Sequence, residues 1–441
     1  MIFEPEVEKL PREQLRVLQT ERLRSLIAYV KERVPFYRER LADVEPSDIA
    51  TVEELGRLPF TRKDDLRDTY PFGMFAVPRE ALMRIHASSG TTGKLTVVGY
   101  SAADVDLFAR VNARSLAMAG AEPGMVLHNA YGYGLFTGGL GLHDGGERLG
   151  LAVVPVSGGM TERQLMLIAD FRPDVISCTP SYALTLTQEF RERGVAPDEI
   201  SLRYAVLGAE PWTEAMRREI DAGLGVRSTN IYGLSEVIGP GVSCECVEAR
   251  AGSHVNEDHF LPEVVDAETG AALPEGAEGV LVFTTLTKEA LPLVRYWTGD
   301  ITSLSSEACA CGRTLVRMGL IKGRADDMLI IRGVNVYPTQ VEAALLELPE
   351  LTPNYRIVVS RSGTLDEAEV EVEVSEAFLR AAGTESLSGE LEHVRELRTR
   401  AERRLRERIG CSLAVTLETP GTVPRSEGGK LQRVLDRRTR P

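Results

Sequence analysis

The sequence predicts an α/β protein with a large N-terminal domain of layered sheets and flanking helices, followed by a small α+β domain. The chain of 441 residues exceeds what one hydrophobic core usually supports. Between about residues 82 and 282, short apolar runs alternate with amphipathic helical stretches, a pattern typical of a parallel sheet covered on both faces. After about Arg324 the pattern changes, so we expect domains of residues 1–323 and 324–441.

The individual elements follow from periodicity. Apolar positions at helical spacing from about Val7 to Arg40 predict a helical lead-in that Pro35 closes, and the same spacing predicts helices over 161–171 and 391–409. Short apolar or alternating runs predict strands at 125–127, 151–154, 174–177, 204–207, 327–331 and 369–374.

Composition excludes several classes of function. A net charge of -14 argues against nonspecific binding of nucleic acid, which needs a basic surface. No stretch reaches the ~20 apolar residues of a membrane helix. The start Met1-Ile2-Phe3-Glu4-Pro5 lacks the basic and apolar regions of a secretory signal, so we expect a cytoplasmic protein without a membrane partner.

The densest local signal is a run rich in glycine and hydroxyl side chains, from Ser88 to Lys94. Glycine lets the backbone come close to a ligand, and hydroxyl and amide groups can then surround phosphate oxygens. It is not a Walker A loop, because that motif requires glycine at Ser88 and a hydroxyl residue at Leu95. Taken alone, the run could equally be a flexible surface turn.

Six further motifs follow in order along the chain. They are Gly208-Ala209-Glu210-Pro211, Tyr232-Gly233-Leu234-Ser235-Glu236, Tyr296-Trp297-Thr298-Gly299-Asp300, Gly323-Arg324-Ala325-Asp326-Asp327, Gly333-Val334-Asn335-Val336-Tyr337-Pro338 and Pro424-Arg425-Ser426-Glu427-Gly428-Gly429-Lys430. This ordered set resembles the adenylate-forming superfamily of acyl-CoA synthetases, luciferases and adenylation domains. Residues 58–78, 130–139 and 257–260 resemble phenylacetate-CoA ligases more narrowly, and the resemblance spans about Val34 to Arg437.

The resemblance implies that ATP activates a carboxylic acid as its acyl-adenylate. Lys430, Glu236 and Thr91 would be catalytic, with Glu236 also binding Mg²⁺. The nucleotide would contact Ser88, Ser89, Gly90, Thr91, Thr92, Gly93, Lys94, Gly208, Ala209, Glu210, Tyr232, Gly233, Asp300 and Arg324. A carboxylate such as Asp300 can accept two hydrogen bonds from the ribose diol, although it could also be a turn residue after Gly299. The resemblance further implies a C-terminal domain that rotates about a hinge at Asp326.

The sequence is compatible with several acids and several acceptors. Tyr131, Phe136, Gly208 and Ala209 match positions beside an aryl pocket, although the glycine-rich loop could also be purely structural. Phenylacetate, benzoate and amino- or hydroxybenzoates are all candidate acids. Coenzyme A is the expected acceptor, and the alternatives are a carrier protein, an amine or a hydroxyl. A homodimer is the family-based expectation.

Two other classes of function are compatible with a fold of this type. A regulatory protein with an inactive ligase fold would bind ATP without catalysis, but the retained Glu236, Asp300 and Lys430 argue against it. An acyltransferase or thioesterase would need a nucleophile and base, and no G-x-S-x-G motif is present.

Cysteine and histidine residues also suggest a metal site. Six cysteines are too sparse for a disulfide framework, while two C-x-C pairs and His254 offer enough soft ligands for tetrahedral zinc. A comparable placement in relatives supports Cys246, His254, Cys309 and Cys311 as ligands, with Cys244 as the substitute for Cys246. The alternative is a set of unconnected cytosolic thiols.

Overall fold

The computed structural model describes residues 1–88, 95–325, 329–331, 334–362, 365–383, 387, 391–425 and 433–438. The α-helices are α1 (Pro5–Glu8), α2 (Arg12–Arg33), α3 (Pro35–Arg40), α4 (Lys63–Asp68), α5 (Ala102–Met118), α6 (Gly138–Leu149), α7 (Thr161–Phe171), α8 (Pro180–Glu192), α9 (Glu214–Leu224), α10 (Pro338–Leu345), α11 (Glu376–Ala382) and α12 (Glu392–Ile409). Short 3-10 turns lie at Pro46–Asp48, Val52–Arg57, Arg79–Ala81 and Pro197–Glu199.

The strands are β1 (Arg84–Ser88), β2 (Thr96–Tyr100), β3 (Val126–Asn129), β4 (Ala152–Val154), β5 (Val175–Cys178), β6 (Tyr204–Gly208), β7 (Arg227–Leu234), β8 (Gly239–Glu245), β9 (Ser253–Val255), β10 (Phe260–Val265), β11 (Gly279–Thr285), β12 (Tyr296–Thr302), β13 (Leu304–Ser305), β14 (Arg317–Met318), β15 (Gly323–Arg324), β16 (Leu329–Ile331), β17 (Val334–Val336), β18 (Leu351–Ser362), β19 (Leu365–Val374), β20 (Ala414–Glu418) and β21 (Val434–Asp436).

The largest sheet has the strand order β13-β14-β9-β8-β7-β6-β5-β3-β4. The five strands β3 to β7 are parallel, as predicted, and alternate residues face opposite cores: Val206 packs with the α5 and α6 side, and Leu207 with the α8 and α9 side. The remaining strands of this sheet are antiparallel, an extension that the predicted parallel sheet did not include. Residues 235–238 between β7 and β8 are too few for a crossover, so the chain must reverse.

Two four-stranded sheets accompany the large sheet, and one of them carries residues of the candidate site. Strands β10, β11, β12 and β15 form an antiparallel sheet whose β12 carries Asp300 next to Arg324 of β15. Strands β20, β19, β18 and β21 form a second sheet, which packs with α10 and α12 around its own hydrophobic core. This separate core is what the change of pattern after Arg324 led us to expect.

Several local predictions can be compared directly with the structure. The helix over 161–171 matches α7, and the helix over 391–409 matches α12 to within one residue. Pro35 does not close the lead-in: α2 ends at Arg33 and Pro35 begins α3, since proline is well suited to the first position of a helix. Of the helices described, none is both long and apolar enough to cross a membrane.

Candidate active site

Part of the predicted site lies at the carboxyl ends of the parallel strands. Gly208 ends β6, and Tyr232 and Gly233 lie among the last three residues of β7. Tyr131, predicted for the aryl pocket, follows β3. In open α/β sheets, ligands bind in the crevice outside these ends, because the loops there diverge to opposite faces. Motifs far apart in sequence therefore share one edge of the sheet.

The segment after β6 needs its unusual residues. A Cβ on Gly208 would lie 2.1 Å from the carbonyl oxygen of Ile231, so only glycine fits between β6 and β7. Ala209 has a φ of 72°, in the left-handed region that side-chain-bearing residues seldom adopt. Glu210 accepts a hydrogen bond of 2.6 Å from the backbone N–H of Ser181 in the first turn of α8. The turn is thereby fixed next to Tyr131, which belongs to the same apolar cluster as Ala209.

Asp300, Tyr232 and Arg324 form one network. The Tyr232 hydroxyl donates to Asp300 Oδ2 at 2.6 Å, and Arg324 Nη1 donates to Asp300 Oδ1 at 3.0 Å. Asp300 is 8% exposed and lies inside β12, not in a turn. Burial raises the pKa of Tyr232 well above its usual value, so the hydroxyl stays protonated as a donor. Two sheets are thus joined around a single carboxylate.

Glu236 lies just beyond β7, almost buried, and two lysines that we did not predict lie beside it. Its carboxylate Oε1 is 3.8 Å from Lys63 Nζ, and its backbone carbonyl accepts from Lys288 Nζ at 3.2 Å. Burial lowers the pKa of Lys288 to about 8, although Asp104 and Glu236 oppose the effect. The sequence signal that could have pointed to these two lysines is the rarity of the residue, since the chain has only seven lysines beside 44 arginines.

Two of the predicted aryl-pocket residues, Tyr131 and Phe136, come together at Gly138. A Cβ there would lie 2.7 Å from the Phe136 ring and 3.5 Å from the Tyr131 ring. Tyr131 is buried, whereas Phe136 is 37% exposed. Asn129 fixes this loop by donating to Gly139 O at 2.8 Å and to the Tyr133 hydroxyl at 2.7 Å. The loop presents aromatic rings next to the Gly208–Ala209 turn.

Several predicted residues lie outside the part of the chain that the structure describes. They are Ser89, Gly90, Thr91, Thr92, Gly93, Lys94, Asp326 and Lys430. Ser88 is described only as the last backbone position of β1, where it pairs with Thr96 of β2. This hairpin is held against the aromatic loop, because Ala87 N donates to Leu135 O at 3.2 Å.

The four predicted metal ligands form a compact cluster. One ligand atom from each of Cys246, His254, Cys309 and Cys311 lies within 4.8 Å of all the others. Cys246 Sγ is 3.6 Å from Cys309 Sγ, and Cys311 Sγ is 3.3 Å from His254 Nε2. Cys244 does not join this group, since its side chain is buried in the apolar cluster beside the central sheet.

The surroundings of the cluster orient its ligands. His254 Nδ1 lies 3.2 Å from Leu315 O, so its other nitrogen faces the thiols. The contact between Cys246 and Cys311 lowers the pKa of the Cys311 thiol and raises that of Cys246. Arg313, fully buried, donates to Glu8 at 2.5 Å, which attaches the N-terminal segment to the loop carrying Cys309 and Cys311.

Comparison with known proteins relates this chain to AMP-binding enzymes. The family model described as AMP-binding enzyme matches residues 76–286, and the one described as AMP-binding enzyme C-terminal domain matches residues 333–438. A phenylacetate-coenzyme A ligase from Thermus thermophilus is 69% identical over 444 residues, covering 99% of this chain and 100% of that protein.

Solved structures of a 2-hydroxyisobutyryl-CoA ligase are also similar. Its postadenylation state with R3-HIB-AMP superposes with a TM-score of 0.90 at 28% identity, over 98% of this chain and 91% of that one. Its thioesterification state with 2-HIB-AMP and CoA gives 0.72 at 30% identity, over 98% and 92%. The covered share of this chain is the same in both comparisons, while the two TM-scores differ.

Proposed function

The chain belongs to the phenylacetate-coenzyme A ligase family of AMP-forming enzymes, and we propose that it joins phenylacetate to coenzyme A with cleavage of ATP to AMP and pyrophosphate. It is an AMP-forming acid-coenzyme A ligase. The whole-chain similarity supports phenylacetate over the other aryl acids. The observation that carries the proposal is the network of Tyr232, Asp300 and Arg324, because segments distant in sequence converge on one buried carboxylate.

The chemistry has two steps. In the first, a carboxylate oxygen of the acid attacks the α-phosphorus of ATP, and the bond to pyrophosphate breaks. In the second, the thiol of coenzyme A loses its proton and attacks the acyl carbon, so that AMP leaves with the electron pair of the broken bond. The products are the thioester, AMP and pyrophosphate.

Asp300 is proposed to bind the ribose hydroxyls. A carboxylate offers about four acceptor positions, so it can hold protein donors and a vicinal diol together. Arg324 also donates to Thr298 O at 3.2 Å, which fixes its guanidinium beside the carboxylate. The side chain would therefore be oriented before the nucleotide arrives, and less entropy would be lost on binding.

The phosphates of ATP are proposed to be bound and their charge neutralised by residues 88–94, Glu236 and Lys430. Glu236 suits Mg²⁺, which in proteins usually takes one or two carboxylates together with phosphate oxygens. When bound, the ion would neutralise charge on the phosphates. Lys63, 3.8 Å from this carboxylate, supplies a further positive charge on the same side.

Lys430 is the residue proposed to bridge the attacking carboxylate and the α-phosphate, where a flexible ammonium can stabilise developing charge. We expect Lys430→Ala to abolish ATP-pyrophosphate exchange while sparing transfer from preformed acyl-adenylate to coenzyme A. Equal loss of both activities would contradict this role.

Tyr131, Phe136, Gly208 and Ala209 are proposed to line the aryl pocket. The two rings supply flat apolar walls, and the absence of a side chain at Gly208 keeps the backbone close. Replacing Phe136 by alanine should raise KM for phenylacetate more than KM for ATP. A change in the ATP value alone would place this ring elsewhere.

Rotation of the C-terminal domain between the two steps, with Asp326 as hinge, is the proposed conformational cycle. The higher similarity to a postadenylation structure than to a thioesterification structure supports two arrangements of one fold. Asp326→Pro should lower thioester formation more than adenylation. An unchanged ratio of the two rates would refute the hinge.

One experiment tests the proposal as a whole. Pyrophosphate and AMP release are measured across phenylacetate, benzoate, 2-aminobenzoate and 4-hydroxybenzoate, with and without coenzyme A. We expect phenylacetate to give the highest kcat/KM and AMP release to depend on coenzyme A. Release that requires a carrier protein, an amine or a hydroxyl compound would favour the alternative acceptors instead.

Cys246, His254, Cys309 and Cys311 are proposed to hold a structural zinc ion. Zn–S bonds of about 2.3 Å imply edges of about 3.8 Å in a tetrahedron, close to the spacing of 3.6 Å between Cys246 and Cys309. Four protein ligands leave no open position for catalysis. Zinc would thus fix the Arg313 loop and, through Glu8, the N-terminal segment. Protein purified without chelators should contain one zinc per chain.

The oligomeric state and the cellular location are also proposals. We propose a homodimer on the resemblance to the family, and a cytoplasmic location on the lack of a secretory-signal pattern at Met1-Ile2-Phe3-Glu4-Pro5. Light scattering during size-exclusion chromatography tests the first, because a monomeric mass at micromolar concentration would overturn it. Cell fractionation tests the second.

A further inference from the structure

The segment that carries Lys430 connects opposite edges of the C-terminal sheet. Strand β20 ends at Glu418 beside β19, while β21 begins at Val434 beside β18. Three strand spacings of about 4.8 Å separate these edges, a distance of about 14 Å. The position of the lysine therefore depends on where the chain is attached at each end of this connection.

The first attachment is Glu373 on β19. Its neighbours Val372 and Val374 face the core with α10 and α12, so Glu373 faces the opposite side of the sheet. There it is completely buried and accepts from Val423 N at 2.8 Å. Arg425 completes a two-pronged contact, with Nη1 at 2.8 Å from Oε1 and Nη2 at 2.6 Å from Oε2. Such paired bonds fix orientation as well as distance.

The second attachment is Arg433, immediately before β21. Its Nη1 donates to Pro353 O at 2.9 Å, and its guanidinium lies 4.5 Å from the centre of the Tyr355 ring. Its Nη2 is 3.3 Å from Glu342 on α10. The chain is thus held at residues 425 and 433, on either side of Lys430.

We propose that Glu373 is a positioning residue for adenylation, which acts by fixing Arg425 and thereby the start of the segment that carries Lys430. The inference rests on the proposed role of Lys430. A catalytic ammonium has to be placed to within about 0.5 Å, and a lysine side chain with four rotatable bonds cannot achieve this unless its backbone is held. A buried ion pair adds little net stability by itself, so its geometric effect is the more informative one.

The chain offers a matched control in Glu371, two residues earlier on the same strand and face. Glu371 also pairs with an arginine, at 2.8 Å from Arg356 Nε, but that arginine lies on β18 and not on the Lys430 segment. Glu371→Gln therefore removes a similar charge and ion pair without touching the attachment at Arg425.

The experiment measures both half-reactions on the full-length enzyme for Glu373→Gln, Glu371→Gln and Lys430→Ala. Glu373→Gln should lower kcat for ATP-pyrophosphate exchange by about tenfold or more while leaving KM for ATP within about twofold. Transfer from preformed phenylacetyl-adenylate to coenzyme A should stay within about twofold, as should both activities of Glu371→Gln. Arg425→Lys, which keeps the charge but loses the paired geometry, should give an intermediate loss and serves if Glu373→Gln does not fold.

The outcomes distinguish the proposed role of Glu373 from the proposed role of Lys430. Equal losses in both half-reactions, or equal effects of Glu373→Gln and Glu371→Gln, would reduce Glu373 to a structural residue and overturn the inference. Normal exchange in Arg425→Lys would do the same. If Lys430→Ala keeps full exchange activity, the proposed function of that lysine fails, whatever Glu373 does.

Discussion

Replacing Asp300 by asparagine tests the nucleotide site through a change of one atom and one charge. In the structure each carboxylate oxygen already has a donor, Tyr232 on one side and Arg324 on the other. An amide has one acceptor oxygen, so one of these donors must face an NH₂ group. The substitution therefore removes a charge-assisted hydrogen bond and weakens acceptance from the ribose.

The expected magnitude follows from the value of such a bond. A hydrogen bond to a charged group contributes about 1.5–3 kcal/mol, which corresponds to about ten- to a hundredfold in an equilibrium constant. We expect KM for ATP to rise by about this factor. KM for coenzyme A should change by less than about threefold, because the proposed contact is with the nucleotide alone.

The assay is steady-state AMP formation with each substrate varied in turn, together with direct ATP binding by calorimetry. Asp266→Asn is the control, since Asp266 accepts hydrogen bonds from Thr269 within an exposed turn. An Asp300→Asn enzyme with normal ATP affinity and a normal melting temperature would refute the ribose assignment. A lower melting temperature, together with higher KM values for ATP, phenylacetate and coenzyme A alike, would make Asp300 a structural residue.

Three further predictions concern stability. Burial raises the pKa of Glu342 to about 7, so between about pH 4.5 and pH 7 the folded protein keeps a proton that the unfolded chain releases. The free energy of unfolding should therefore fall by about 3 kcal/mol as the pH rises through this range. Denaturant titrations of Glu342→Gln at several pH values should lack this slope. Cys309→Ser should lower the zinc content and increase proteolysis near Glu8, and normal zinc content would argue against the ligand set. Gly208→Ala should lower the melting temperature, since its Cβ would lie 2.1 Å from Ile231 O, and an unchanged value would contradict the close packing of β6 on β7.

The sequence was enough to single out candidate site residues, because the motifs are short and local, and to predict several elements of the fold. Periodic apolar runs predict the helix Thr161–Phe171 and the strands near 126, 175 and 204. In each of these elements the spacing of apolar residues follows from which face packs against the core. The choice of Cys246 over Cys244 agrees with the cluster, although sequence reasoning left both open. The two-domain description likewise reflects a change of pattern that accompanies a second hydrophobic core.

Contacts between distant segments could not be found in this way. Lys288 lies against Glu236 across 52 positions, and Glu373 meets Arg425 across the same separation. Neither belongs to a motif with a distinctive composition: Glu373 ends an alternating run whose other glutamates pair elsewhere or face solvent. Only the rarity of lysine pointed toward Lys288, and it could not say which group the ammonium would contact.

Local sequence is sufficient for the order of the motifs, the type of most elements and the chemistry available to each side chain, because backbone propensity and amphipathic period act over a few residues. Long-range packing is responsible for the antiparallel turn of the sheet at β8, for the meeting of Tyr232 and Arg324 on Asp300, and for the contact of buried Glu373 with Arg425. These outcomes depend on strand order and on burial from several segments at once. Packing selects them from many alternatives that local sequence leaves equal in energy.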